Sequence, residues 1–464
     1  MQNILNVSDI EMNKVNLRKL NELLSSDLDF HDQASNYASH NFHAFAAKFP
    51  PQLPSKFITA LTGKGDIVLD PMLGSGTTIL ESYLSGRFGI GFDIDPLALK
   101  ISKVKVTPID ILQAQEMGSI VLKKAIDCIS NHRTDLEDIL KSKWDNATKE
   151  FIDYWFEYET QIEIVAILRE IQKITDENYR RLFELTLSGI IITKSGGISL
   201  ALDLAHTRPH RAKTIIHKVD RIKPDNLNAN DERNLNIHST KYLRSALWEF
   251  NKKLQQNLNC IPQHLPGSID PSISLGNSKD LNLDSNSVDL IVTSPPYPSN
   301  AIDYMRAHKF SLVWFGYSID DLSNKRRGYI GSDSLIGTNF ECLPEYTAAV
   351  VSKVMQKDRI KGLSLNHYYS EMMQSLCEMY RVLKPGKSAI VVVGSSIVRG
   401  INTETAECLA EISKNLGFTV PKIGLRKLDR DRRMMPVQDR TPDLNSQIQQ
   451  RMHEEYVIGC YKTL

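Results

Sequence analysis

The chain has 464 residues, a formal net charge of +1 and six cysteines. That length accommodates one large domain with an insertion, or two to three smaller ones, and so small a charge excludes a molecule-wide attraction for nucleic acid, leaving only local patches. Cys128, Cys260, Cys342, Cys377, Cys408 and Cys460 form no C-x-x-C pair, which argues against a disulfide framework and a zinc site; with no basic-then-apolar leader and no bilayer-length apolar run, a cytoplasmic protein without membrane contact or metal is expected.

Residues 1–39 are polar, with one helical pattern around Val15 to Leu24; they form either an N-terminal arm or partner contact, or a surface helix on the main domain. From His40 to Ile58, aromatics, a lysine and three prolines predict a shaped loop, with a helix resuming near Leu53; a hydrophobic lid on a sheet fits equally. Gly63 to Thr78 reads G-K-G-D-I-V-L-D-P-M-L-G-S-G-T-T. Asp66 to Leu69 is a short strand. Asp70 ends it, Pro71 breaks it, and Gly74, Ser75 and Gly76 allow a tight loop with close backbone approach. Thr77 and Thr78 open a helix that runs Ile79 to Leu84, and a second strand, Phe88 to Phe92, ends in Asp93. An acid there is placed to accept both hydroxyls of a ribose.

This βαβ unit departs from a dinucleotide site in two ways. Ile79 stands where a third glycine belongs, and Asp70 projects a carboxylate where a pyrophosphate would be repelled. A ligand carrying a ribose at one end and an ammonium at the other satisfies both acids, and S-adenosylmethionine is such a molecule.

From residue 106 to 270 the α/β rhythm gives way to a mainly helical insertion, with helices expected over Met117 to Ile129, Thr148 to Ile174 and Tyr179 to Thr193. The basic run His206 to Lys223 is either a solvated face or a phosphate-contacting surface. The sheet resumes at Ile273 to Asn277, and Asn277 at a strand end either bonds the edge of an adenine ring or caps a turn. Val288 to Tyr297, V-D-L-I-V-T-S-P-P-Y, reads as a buried parallel strand that stops at Thr293-Ser294 before two prolines and an aromatic. Ligands of open α/β sheets sit at the carboxyl ends of strands. A hydroxyl, a stiff turn and an aromatic face at that edge suit an aromatic amine, with carbonyls to accept its hydrogen bonds and Tyr297 to stack on its ring. Beyond it, Asp303, Tyr304, Arg306, His308 and Lys309 lie near the same edge, and Asn324 to Arg327 form a second basic patch. A helix over Tyr368 to Leu383, a strand over Ser388 to Val393, a helix over Thr405 to Leu416 and closing strands Val420 to Leu425 and Tyr456 to Tyr461 complete the chain.

These segments resemble the amino-methyltransferases of DNA, which methylate exocyclic nitrogens with S-adenosylmethionine. Asp70 to Thr78 is similar to the family's cofactor loop, D-P-F-x-G-S-G-T, and Thr293 to Tyr297 to its catalytic T-S-P-P-Y. His43 to Pro51 is similar to the segment before the cofactor loop, and Arg381 to Gly386 to the lead into the fifth strand. The resemblance implies a class I methyltransferase α/β fold, a Rossmann-like sheet with helices on both faces. The cofactor half would span 40–105, a target-recognition insertion 106–270 and the catalytic half 271–464. It implies catalytic Ser294, Pro295, Pro296 and Tyr297, and cofactor contacts from Phe49, Asp70, Gly74, Ser75, Gly76, Thr77, Asp93 and Asn277. The serine of the tetrapeptide is typical of cytosine-N4 enzymes. Adenine-N6 methylation of DNA and methylation of an RNA base amine are the alternatives. The expected partner is double-stranded DNA with a flipped target base, with a cognate restriction endonuclease as a possible second.

Overall fold

The computed structural model of the chain describes residues 7–45, 48–193, 197–201, 214–217, 240–261, 269–298, 303–332, 340–394, 396–428 and 454–464. Seven strands build its central sheet: β1 (Ile67–Asp70), β2 (Phe88–Asp93), β3 (Ser272–Leu275), β4 (Val288–Thr293), β5 (Leu383–Gly394), β6 (Ile423–Lys427) and β7 (Glu454–Tyr461). Their spatial order is β6-β7-β5-β4-β1-β2-β3. Neighbours run parallel, except that β7 is antiparallel to both β5 and β6. The chain begins in the middle, winds to one edge through β2 and β3, then returns to β4 on the other side of β1. That reversal makes the carboxyl ends of β1 and β4 the topological switch point, where open α/β sheets bind ligands. With the reversed β7 slotted between β5 and β6, this is the class I methyltransferase arrangement of the Rossmann-like fold.

Fifteen α-helices accompany the sheet among the described residues: α1 (Val7–Ser25), α2 (Gln52–Leu61), α3 (Thr77–Leu84), α4 (Pro96–Lys105), α5 (Ile111–Asn131), α6 (Arg133–Ser142), α7 (Asn146–Trp155), α8 (Tyr158–Gln172), α9 (Glu177–Ile191), α10 (Ala246–Leu258), α11 (Tyr304–Leu312), α12 (Ile319–Arg327), α13 (Glu345–Lys357), α14 (Arg359–Val382) and α15 (Thr405–Asn415). None is long and apolar enough to cross a membrane. The strands sort their side chains between two faces, as a period of two requires. Val68, Leu290, Val292, Ile390, Val392 and Val457 pack with Leu20 and Leu24 of α1 and Leu53 and Phe57 of α2. Leu69, Ile291, Ala389, Val391, Val393 and Ile458 pack with α13, α14 and α15. Helices α5 to α10 form a third body of buried apolar side chains that takes in Leu97 and Ile101 of α4 and Phe310 of α11, with Trp314 just beyond it.

Several expected elements have different bounds. The stretch Thr148 to Ile174 is two helices, because Phe156 is extended (φ −131°, ψ 134°) and Glu157 starts a new helix by accepting from the Glu159 amide. The apolar pattern runs through that break without marking it. Helix α14 begins at Arg359, where Asp358 caps it through the Lys361 amide, well before Tyr368. Of the basic run from His206 to Lys223, only the short strand Thr214–His217 is described. The rest of that run lies outside the described residues.

Candidate active site

A cleft opens where the carboxyl ends of β1, β2, β3 and β4 converge. Asp70 at the end of β1, Gly74, Ser75 and Thr77 of the next turn, Asp93 at the end of β2 and Asn277 beyond β3 line it. Phe49 lines it from the segment before α2, and Ser294 and Pro296 from the turn after β4.

The glycine turn is built by its own backbone and held from behind. The Leu73 amide donates to the Phe92 carbonyl at 3.0 Å, and the Gly76 amide to the Leu73 carbonyl at 2.8 Å. Gly76 takes φ +72°, and a Cβ there would stand 2.4 Å from Ser102 Oγ, so the position accepts glycine alone. Buried Lys105, the last residue of α4, donates to the Ser75 carbonyl at 2.6 Å. Gly76 itself lies behind the cleft wall, and its contribution is the shape of the turn.

Two carboxylates, buried Asp70 and half-buried Asp93, face this turn. Asp93 Oδ2 accepts from the Gly74 amide at 2.8 Å and Oδ1 from the Asp95 amide at 2.9 Å. Burial, and then the neighbouring Asp95 charge, push the Asp93 carboxyl up to about 7. Burial likewise lifts Asp70 to about 6, although Asp70 Oδ1 accepts from Thr293 Oγ1 at 2.7 Å and from the Met72 amide at 3.3 Å. The Thr293 contact joins the two motifs directly, across 223 positions of chain. A second tie runs from Thr78 Oγ1 to the Val292 carbonyl at 3.1 Å. Both stretches therefore open onto one cleft.

The remaining residues named from the sequence are placed as follows. Asn277 Oδ1 accepts from the Lys279 amide at 3.1 Å, the turn-capping contact, while the residue also lines the cleft. Pro295 and Tyr297 are not on the cleft wall. Tyr297 is 7 % exposed, and its hydroxyl donates to Glu455 Oε1 at 3.1 Å. Of the group after the motif, Asp303 and Tyr304 line the cleft. Arg306 and Arg326 both approach Asp303 Oδ2 at 2.7 Å, and Arg326 lines the cleft with it.

Sequence reasoning missed Phe45, which stacks on Tyr304 with ring centroids 5.1 Å apart and lines the cleft. It also missed the pair His308 Nδ1–Asp95 Oδ2, at 2.5 Å, which ties α11 to the start of α4. Asp95, before Pro96, caps α4 by accepting from the Leu97 and Ala98 amides. Nothing local announced its histidine partner. Burial alone would raise the Asp95 carboxyl, and the adjoining His308 holds it below the usual carboxylate value.

The chemistry of this donor set fits a ligand with a ribose and a cationic amino acid, bound beside a second ring. Residues 11–104 match the family described as DNA methylase, the N6/N4 methyltransferases. The Type II methyltransferase M.MvaI of Kocuria varians is 22% identical over 405 residues, covering 83% of this chain and 83% of that protein. M.BsoBI of Geobacillus stearothermophilus is 22% identical over 464 residues, covering 89% and 85%. M.MjaII of Methanocaldococcus jannaschii is 35% identical over a shorter 92 residues, 20% of this chain and 17% of that protein. The fold and cleft define a class I methyltransferase. The match over residues 11–104 and the long alignments to these methyltransferases support the DNA amino-methyltransferase family, whose cofactor is S-adenosylmethionine.

Proposed function

We propose that this methyltransferase transfers a methyl group to the exocyclic N4 amine of cytosine in double-stranded DNA, as a cytoplasmic Type II modification enzyme with a cognate restriction endonuclease. The observation that carries this reading is the opening of Ser294 onto the cleft that holds Asp70 and Asp93. S-adenosylmethionine supplies an electrophilic methyl group when bound. Asp93 would accept from its ribose hydroxyls, Asp70 would meet its ammonium, and the Gly74 to Thr77 turn, Phe49 and Asn277 would enclose it.

The chain's own residues present the base. A cytosine taken out of the stack enters the cleft. Ser294 Oγ accepts a hydrogen bond from its amine, and the Pro295 carbonyl a second once the turn shifts to expose it, which localises on nitrogen a lone pair otherwise delocalised into the ring. These dipoles stabilise the positive charge that grows on nitrogen, the inverse of an oxyanion hole, and fixed geometry supplies much of the rate. Stacking of the base on Tyr297 then requires displacing what covers that ring. No enzyme nucleophile is needed, and the Pro-Cys of carbon-5 cytosine methylation does not occur in this chain.

Nucleoside mass analysis after incubation with DNA and labelled cofactor tests the proposal. N4-methylcytosine is the expected product. N6-methyladenine would move the activity to the neighbouring subgroup, and unlabelled DNA would end both readings.

A further inference from the structure

The turn Ser294-Pro295-Pro296 cannot hold itself. Its two prolines fix φ but carry no N–H, and Pro298 lacks one as well, so the backbone has few donors with which to brace a bend. Side chains on either flank supply the bracing. On the upstream flank Thr293 is tied to buried Asp70. On the downstream flank Tyr297 is tied to buried Glu455 at 3.1 Å, 158 positions away.

Glu455 is itself held. It lies directly opposite Arg426 in the antiparallel β6–β7 pair, which places both side chains on one face of the sheet. Arg426 Nη1 bonds Glu455 Oε2, leaving Oε1 for the tyrosine hydroxyl. Arg426 is 8 % exposed and Glu455 6 %. A buried carboxylate is tolerated when its oxygens have charged or polar donors, and here one donor comes from the hairpin and the other from the turn after β4. Burial, then the Glu455 charge, raise the Tyr297 hydroxyl well above its ordinary value, so it remains a donor at neutral pH.

The geometry points to Glu455, oriented by Arg426, as a positioning residue for methyl transfer: through the Tyr297 hydroxyl it pins the far end of the Ser-Pro-Pro turn, so that Ser294 faces the cofactor half of the cleft. This rests on the reading of Thr293 to Tyr297 as the catalytic edge. The C-terminal hairpin thereby takes part in the active site without touching substrate.

The test uses the full chain with Tyr297→Phe, which removes only the hydroxyl and leaves the Arg426–Glu455 pair intact, and with Glu455→Gln, alone and combined. In each single variant kcat should fall about tenfold while KM for S-adenosylmethionine stays within about twofold. The double variant should be no slower than the slower single, because both changes cut one connection. Wild-type kcat in Tyr297→Phe, additive losses, or a fall in cofactor affinity matching the fall in kcat would overturn the proposal. A second measurement does not need activity. Deuterium exchange at the Ser294 and Tyr297 amides should quicken about tenfold in Tyr297→Phe while residues 67–78 exchange as before, and unchanged exchange would refute the pin. Wild-type protein that labels no DNA would sink the functional reading, and the exchange result would still decide whether Glu455 holds the turn.

Discussion

Asp93 is oriented by the Gly74 and Asp95 amides before any ligand arrives, yet burial keeps its carboxyl near 7. A protonated carboxyl loses its value as a double acceptor for ribose hydroxyls. Cofactor affinity should therefore weaken as pH falls from about 8 to about 6, approaching tenfold per unit when only the anion binds. Asp70 adds a second loss below about 6. For folding of the free protein the sign is opposite. Both carboxyls keep their protons to higher pH folded than unfolded, so their contribution to stability is full below about 4 and is lost as pH climbs through 6 to 7. Calorimetric titration across this range checks the first statement, and a flat affinity would contradict it. Ser294→Ala should slow methyl transfer on the order of a hundredfold with cofactor affinity nearly kept. Asp93→Ala should weaken cofactor binding by roughly ten- to a hundredfold with a smaller effect on kcat. Equal losses of affinity in both would refute the division of roles. The acids and the glycine turn were legible because Asp-Pro, Gly-Ser-Gly and Ser-Pro-Pro at strand ends combine residue types that a plain turn does not need. Glu455 was not, nor was the pairing of His308 with Asp95, because both partners are chosen by tertiary packing and leave no pattern nearby.

At the scale of elements, α1 is the surface helix on the main domain that its pattern allowed. Residues 7–25 are polar, but Leu20 and Leu24 are buried on β7 and β5. The seat is shaped by Gly459, where a Cβ would stand 2.5 Å from Leu24 Cδ1 and 3.3 Å from Leu20 Cδ1. Gly459→Val should lift the helix and cost about 1–3 kcal/mol by overpacking, read as a lowered Tm. An unchanged Tm would show that α1 has slack. The strands were the most legible elements, since alternation between two apolar faces and short lengths leave few alternatives. The helices from Tyr304 to Lys357 were the least, because their apolar positions pack partly against the insertion and partly against the sheet, so no single stripe runs through them.

Across the whole molecule, the near-zero charge leaves DNA binding to local features. Arg326 lines the cleft, set beside Asp303 at the end of a helix that finishes Lys325-Arg326-Arg327. The order of strands was legible only in part. The two motifs marked β1 and β4 as neighbours by function, whereas the slot of β7 between β5 and β6 follows from sheet geometry and carries no local signature. The helical insertion shares one interior with α4 and α11. Replacing residues 106–270 by a short linker would bare Phe310 and Trp314, both fully buried, and the shortened protein is expected to aggregate or lose cooperative unfolding. A soluble product with a sharp thermal transition would show that the sheet stands without it.

That common interior also sets the unit in which such proteins exchange parts. A chimera made by transplanting the insertion from a relative at its sequence borders would bring foreign side chains against a resident α11, and α11 follows directly on the turn that presents Ser294. Grafts that carry residues 304–314 along with the insertion keep the donor's own interlocking surfaces, and those are the hybrids expected to keep their turnover.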